Sequence, residues 1–161
     1  MANPFNEFER LKISCVKDYL DHIDELDEVK NDAEMRIAVI RDMAQPGGVR
    51  YDAINVSTSP SDDAIPNAVA ALEDVADLEY LIEQIDQEKR EFCEMLKREI
   101  KSFGGTSLLM HYELGARYSD IAASAGIDRS TELNMRKRAM LDIYDKDLLP
   151  LEYRIPVERA I

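Results

Sequence analysis

The chain has 161 residues, 45% of them apolar, and 20 basic against 33 acidic side chains, a formal charge of −13. That is enough apolar material for one core or two small ones, while a polyanion is repelled by most of so acidic a surface. No apolar run approaches the ~20 residues that cross a bilayer, and MANPFNEFER lacks a basic-then-apolar leader pattern. The expectation is a cytoplasmic protein with no membrane partner.

The acidity is unevenly placed. Residues 1–100 hold 11 basic and 24 acidic side chains, whereas residues 101–161 hold 9 of each. The front part is read as residues 1–103, an acidic antiparallel helical hairpin of coiled-coil type. Its first run, Tyr19, Ile23, Leu26, Lys30, Ala33, Ile37, Ile40 and Ala44, alternates spacings of four and three. Its second, Ala71, Val75, Leu78, Ile82, Ile85, Lys89, Phe92 and Leu96, does the same. Such spacing brings each apolar side chain to a partner helix about every half-turn.

Pairing Ile40 with Val75 sets Ile37 opposite Leu78, Ile23 opposite Phe92 and Tyr19 opposite Leu96. Lys30 then faces Ile85 and Lys89 faces Leu26, with stems on apolar surface and ammonium groups reaching acids. Cys15 and Cys93 lie far apart in helical patterns and read as buried free thiols, not a disulfide or a metal pair.

A connecting loop is expected over residues 45–64. Pro46, Gly47 and Gly48 end the first helix. Val49, Tyr51, Ile54 and Val56 suggest a short strand or a fold over the hairpin's end. Ser59-Pro60-Ser61-Asp62 has the cap, proline and acid of a helix start, although Pro66 places regular helix only near there. Gly104 and Gly105 are expected to end the second long helix, with Thr106 or Ser107 capping the next.

Residues 104–147 form the candidate helix-turn-helix. A short helix, SLLMHYELGA, precedes YSDIAASAGIDRSTELNMRKRAM, in which Ile121 and Ala122 face inward. Gly126 falls where the first helix needs a left-handed cap, Ile127 plugs the turn, and Asp128 or Ser130 caps the second helix. That helix presents Arg129, Ser130, Thr131, Asn134, Lys137 and Arg138, the expected DNA-binding residues. Arg129, Ser130 and Asn134 suit base edges and Lys137 and Arg138 suit phosphates. His111 reads as a packing histidine.

The tail, residues 148–161, holds Pro150 and Pro156, which exclude one continuous helix. Leu148, Leu149, Leu151, Tyr153, Ile155 and Val157 are too apolar for a solvated tail. An extended segment docked on another surface is expected. The fold class is therefore all-α.

The order of a four-three hairpin, an SP-containing connection and this motif resembles small phage-encoded regulators of the RinA and ArpU type. The motif itself is similar to the promoter-reading fourth region of bacterial sigma factors. The matching positions are Ile121-Ala122, Ala125-Gly126-Ile127, Asp128 to Thr131, and Arg138-Ala139-Met140. The resemblance implies a transcriptional regulator in a bacterial host cell, binding double-stranded promoter or operator DNA together with host RNA polymerase. Three positions depart from it. Glu132 stands where the family buries a valine, so it either turns outward or meets a buried base. Leu133 falls at a base-facing position, where it can touch only a thymine methyl. Arg117 replaces a Ser or Thr cap.

Nothing in the sequence suggests an enzyme, a cofactor or a metal site. The glycine pairs lack the lysine-serine of a phosphate loop, and no Cys/His spacing fits a metal. A two-helix hairpin has a thin core, and such readers commonly bind paired half-sites, so a homodimer through the hairpin, with four helices side by side, is expected. A second reading is a phage inhibitor or adaptor whose acidic hairpin contacts a host protein.

Overall fold

The computed structural model describes residues 3–44 and 64–159, and no described residue lies in a strand. In chain order the helices are α1 (Glu7–Ala44), α2 (Ala64–Glu99), α3 (Phe103–Leu114), α4 (Tyr118–Ala125) and α5 (Arg129–Asp145). A 3-10 turn (Leu151–Tyr153) and a final short α6 (Pro156–Arg159) follow. The all-α expectation holds. The expected connection, with its apolar residues and the Ser59–Asp62 cap, falls on residues 45–63, outside the described residues.

At 38 and 36 residues, α1 and α2 are each about 55 Å long. α1 starts at a reciprocal cap: Asn6 Oδ1 accepts from the Glu9 N–H at 2.8 Å while Glu9 Oε1 accepts from the Asn6 N–H at 3.1 Å. α2 admits Pro66 in its first turn, where backbone N–H groups have no helical partner. At its other end the Glu99 carbonyl accepts from Lys146 Nζ at 2.6 Å, a cationic cap on the negative pole of the helix.

The chain divides into two compact units, residues 25–87 and residues 1–24 with 88–161. In the first, Ala33 and Ile37 pack against Val75 and Leu78, flanked by Ile40 and Ile82. Lys30 donates to Asp86 at 2.7 Å, and Arg41 pairs with Glu79, so the two helices run antiparallel here. The hydrogen bond to Asp86 also raises the Lys30 pKa. Ala44, expected on the seam, is exposed.

In the second unit, Ile13, Val16, Leu20, Ile23, Phe92, Leu96 and Ile100 are buried. Here Leu20 occupies the fully covered position and Tyr19 is half-buried. The Tyr19 ring meets Phe92 edge-on at 5.7 Å and Tyr153 at 5.2 Å, an arrangement set by the aromatic partners that the later elements bring in. Cys93 is buried and Cys15 partly so, and both are free thiols.

Two expectations are corrected. Gly104 and Gly105 do not end α2. They sit in the first turn of α3, whose N-cap is Ser102, accepting from the Gly105 N–H at 3.3 Å. A Cβ at Gly104 would lie 2.0 Å from the Met135 carbonyl oxygen, so the missing side chain is what lets α3 approach α5. The tail is not extended either: Leu149 is buried, and the following residues coil into the 3-10 turn and α6. Ile155 N–H donates to the Tyr144 hydroxyl at 3.2 Å and Arg154 lies over the Tyr144 ring at 4.3 Å. These bonds tie the tail to α5.

Gly104 and Gly126 are glycines for different reasons, and alanine separates them. Gly126 has φ +70 with open space around a built Cβ, so alanine there costs only the left-handed backbone strain, about 1 kcal/mol. Alanine at 104 must push two helices apart and costs about 3 kcal/mol or more. Urea unfolding of the two variants measures both, and equal losses would contradict the close-approach role of Gly104.

Candidate nucleic-acid interface

α4 and α5 are joined by Gly126, Ile127 and Asp128. The Gly126 and Ile127 N–H groups return to the Ala123 and Ala122 carbonyls at 3.2 and 3.1 Å, which the left-handed glycine permits. Asp128 Oδ1 then accepts from the Thr131 N–H at 2.9 Å and from Ser130 Oγ at 3.3 Å. Of the two cap candidates, Asp128 fills the role. Hydrogen bonds from Thr131 hold its carboxyl below the usual range. Arg117, at the start of α4, caps nothing and pairs with Asp120 at 3.0 Å.

Glu132 is 2% exposed. The departure from the family pattern is therefore met by burial with a base, not by an outward turn. Arg136, one helical turn on, donates to both carboxylate oxygens, Nε to Oε2 at 3.1 Å and Nη2 to Oε1 at 2.8 Å. Ser107 of α3, itself fully buried, donates its hydroxyl to Oε2 at 2.6 Å. The guanidinium lies 3.5 Å from the Tyr118 ring centroid, a cation over an aromatic face. Tyr118 in turn stacks on His111 at 4.3 Å, and His111 Nδ1 donates to the Ala116 carbonyl at 2.8 Å. Burial pushes the Tyr118 hydroxyl up to about 12, with Arg136 opposing the shift.

The network fixes the rotation of α5. With Glu132, Arg136, Ala139, Met140 and Ile143 inward, Ser130, Thr131 and Arg138 are exposed and Asn134 is half-buried. Arg129 is exposed at the helix start. Lys137 is half-buried like Asn134, and it lines a groove with Leu133 and Arg136. Four of the six candidate DNA contacts are thus exposed, and Asn134 and Lys137 are half-buried.

The sequence did not bring out Tyr118 or the pairing of Glu132 with Arg136, and Ser107, expected with Thr106 as a helix cap, instead binds Glu132 while Ser102 caps α3. The pairing had a signal, since an acid and an arginine four apart on a helix share a face. Ser107, 25 residues away, had none. Comparison with known proteins finds no family model, no curated protein and no solved structure that matches this chain.

Removing one partner of a buried ion pair strands the other, and that dictates the outcome here. Glu132→Ala lowers unfolding free energy by about 3 kcal/mol, whereas Ser107→Ala, Glu132→Leu and Arg136→Met combined stay near the parent. Chemical denaturation distinguishes them. A triple variant less stable than the single one would show that the ion pair carries net stability beyond satisfying itself.

Proposed function

We propose that the protein is a phage or mobile-element transcriptional regulator that binds promoter DNA, with α4, the turn and α5 acting as a helix-turn-helix. The observation that carries this reading is the buried Glu132–Arg136–Ser107 network, which holds α5 with Ser130, Thr131 and Arg138 exposed and Asn134 half-buried. Asn134 pairs with adenine and Arg129 with guanine, while Arg138 contacts phosphate. Charge supports the same assignment. Residues 25–87 hold 15 acidic and 4 basic side chains, a balance of −11, and the other unit holds 18 and 16, a balance of −2. Only the second tolerates a polyanion. The resemblance to phage regulators adds host RNA polymerase as a partner.

A second reading, an inhibitor or adaptor working through the acidic unit, is favoured by the exposure there of Met35 (70%), Leu72 (69%) and Tyr80 (64%). Selection of bound sequences from a random DNA pool by the full chain tests between the two. An enriched sequence supports the regulator, and no enrichment at low salt counts against it.

On the selected sequence, Arg138→Ala weakens binding to all DNA and reduces the salt slope by about one. Asn134→Ala instead relaxes preference at one base pair, at a cost of about 1–3 kcal/mol. Fluorescence anisotropy across a salt series measures both; equal losses on cognate and random DNA for Asn134→Ala would refute base reading.

Assembly should show the opposite salt dependence. The exposed apolar residues of 25–87 fit a homodimer, but two copies bring like charges together, and salt screens these within a Debye length of about 8 Å. Self-association therefore strengthens as salt rises. Sedimentation at micromolar concentration checks this, and a monomer at every salt concentration sinks it.

A further inference from the structure

The unit of residues 1–24 and 88–161 contains a groove of about 280 Å³ where α1, α3, α4 and α5 converge. Its floor is apolar, built from the buried Ile13, Leu20 and Met140, with the exposed Leu133 at its edge. One wall is aromatic and held in place: Tyr118 is clamped between Arg136 at 3.5 Å and His111 at 4.3 Å, and Tyr112 meets His111 edge-on at 4.8 Å. A wall fixed by stacking and ion pairing needs little ordering when a ligand arrives, which favours binding.

The rim carries charges of both signs: Lys17 and Lys137 against Asp21 and Asp24. Arg136 also lines the groove, but Glu132 neutralises it from behind at 2.8 Å. Lys17, Asp21 and Lys137 make no hydrogen bond or ion pair with any described residue. The site therefore offers unused ammonium donors and an unused carboxylate acceptor above an apolar, partly aromatic bed. Its volume lies just below the range typical of drug-sized ligands.

We infer that this groove binds a small zwitterion with an apolar body, of the class of a free α-amino acid with an aromatic or large aliphatic side chain. The ligand carboxylate meets Lys17 and Lys137, its ammonium meets Asp21, and its side chain lies on Leu20, Leu133 and Met140 beside Tyr118. A purely anionic ligand faces the two carboxylates, and a purely cationic one faces the two lysines. Only a molecule bearing both charges satisfies the rim. The inference does not require DNA reading, although the groove shares Leu133 and Lys137 with the helix read as facing DNA.

The test uses the full chain and L-phenylalanine, with phenylacetate and phenethylamine as single-charge controls. Isothermal titration and amide chemical shifts are the readouts. L-Phenylalanine is expected to bind and to shift residues of the groove, Tyr118, Leu133 and Lys137 among them, with each control weaker by about tenfold or more. Lys17→Met and Asp21→Asn, both at exposed positions, each weaken L-phenylalanine by about tenfold and leave the circular dichroism unchanged. Leu133→Trp fills the groove and abolishes binding. No shift with L-phenylalanine at millimolar concentration overturns the inference. So does phenylacetate or phenethylamine binding as tightly as the amino acid, or unchanged affinity in both charge variants.

Discussion

A single buried carboxylate constrains the second half of this molecule. An uncompensated Glu132 in the interior would cost several kcal/mol, and the chain meets that cost with three donated hydrogen bonds from Arg136 and Ser107. Each donor comes with a structural consequence. Ser107 brings α3 to α5, and Arg136, once fixed, covers the face of Tyr118 and so brings in α4. Three helices are thus keyed to one another by directional bonds where a valine would have given only non-directional packing. The rotation of α5, and hence the choice of residues that face outward, follows from that key.

Close backbone approach is the second constraint, and it works with the first. Gly104 removes the Cβ that would strike the Met135 carbonyl, so α3 can lie near enough for the Ser107 hydroxyl to reach Glu132 at 2.6 Å. Around the same unit an aromatic chain runs through Phe92, Tyr112, His111 and Tyr118, while Tyr19 links Phe92 to Tyr153 of the tail. Such edge and stacked contacts add about 0.5–1.5 kcal/mol each beyond area burial. The tail is held by the same means, through Arg154 and Ile155 on Tyr144.

The remaining unit follows a different logic. Its core is a thin line of Ala33, Ile37, Val75 and Leu78, and it keeps most of the negative charge. Large apolar side chains stay exposed on it, and charged groups on the same surface repel a second acidic copy. That combination of apolar attraction and charge repulsion makes any association through it sensitive to ionic strength.

The sequence by itself determined the helical class, the four-three runs apart from the exposed Ala44, and the turn between α4 and α5. Every seam position read on α2 from Ala71 to Leu96 is buried or half-buried, and Gly126 and Asp128 take the cap roles read for them. These features are local: periodicity, a left-handed residue and a capping carboxylate act within a few residues of the chain. What only the tertiary structure decided depends on partners far away in sequence. Gly104 looked like a helix terminator because a glycine pair gives the same local signal whether it ends a helix or lets another helix approach. Tyr19 meets Phe92 across the seam but shares its ring with Tyr153 of the tail, which leaves Leu20 the more buried of the two. Glu132 looked misplaced, since a carboxylate is tolerable in a core only when donors converge on it. One donor, Arg136, was visible four residues on. The other, Ser107, lies 25 residues back, and only folding brings it within hydrogen-bond distance.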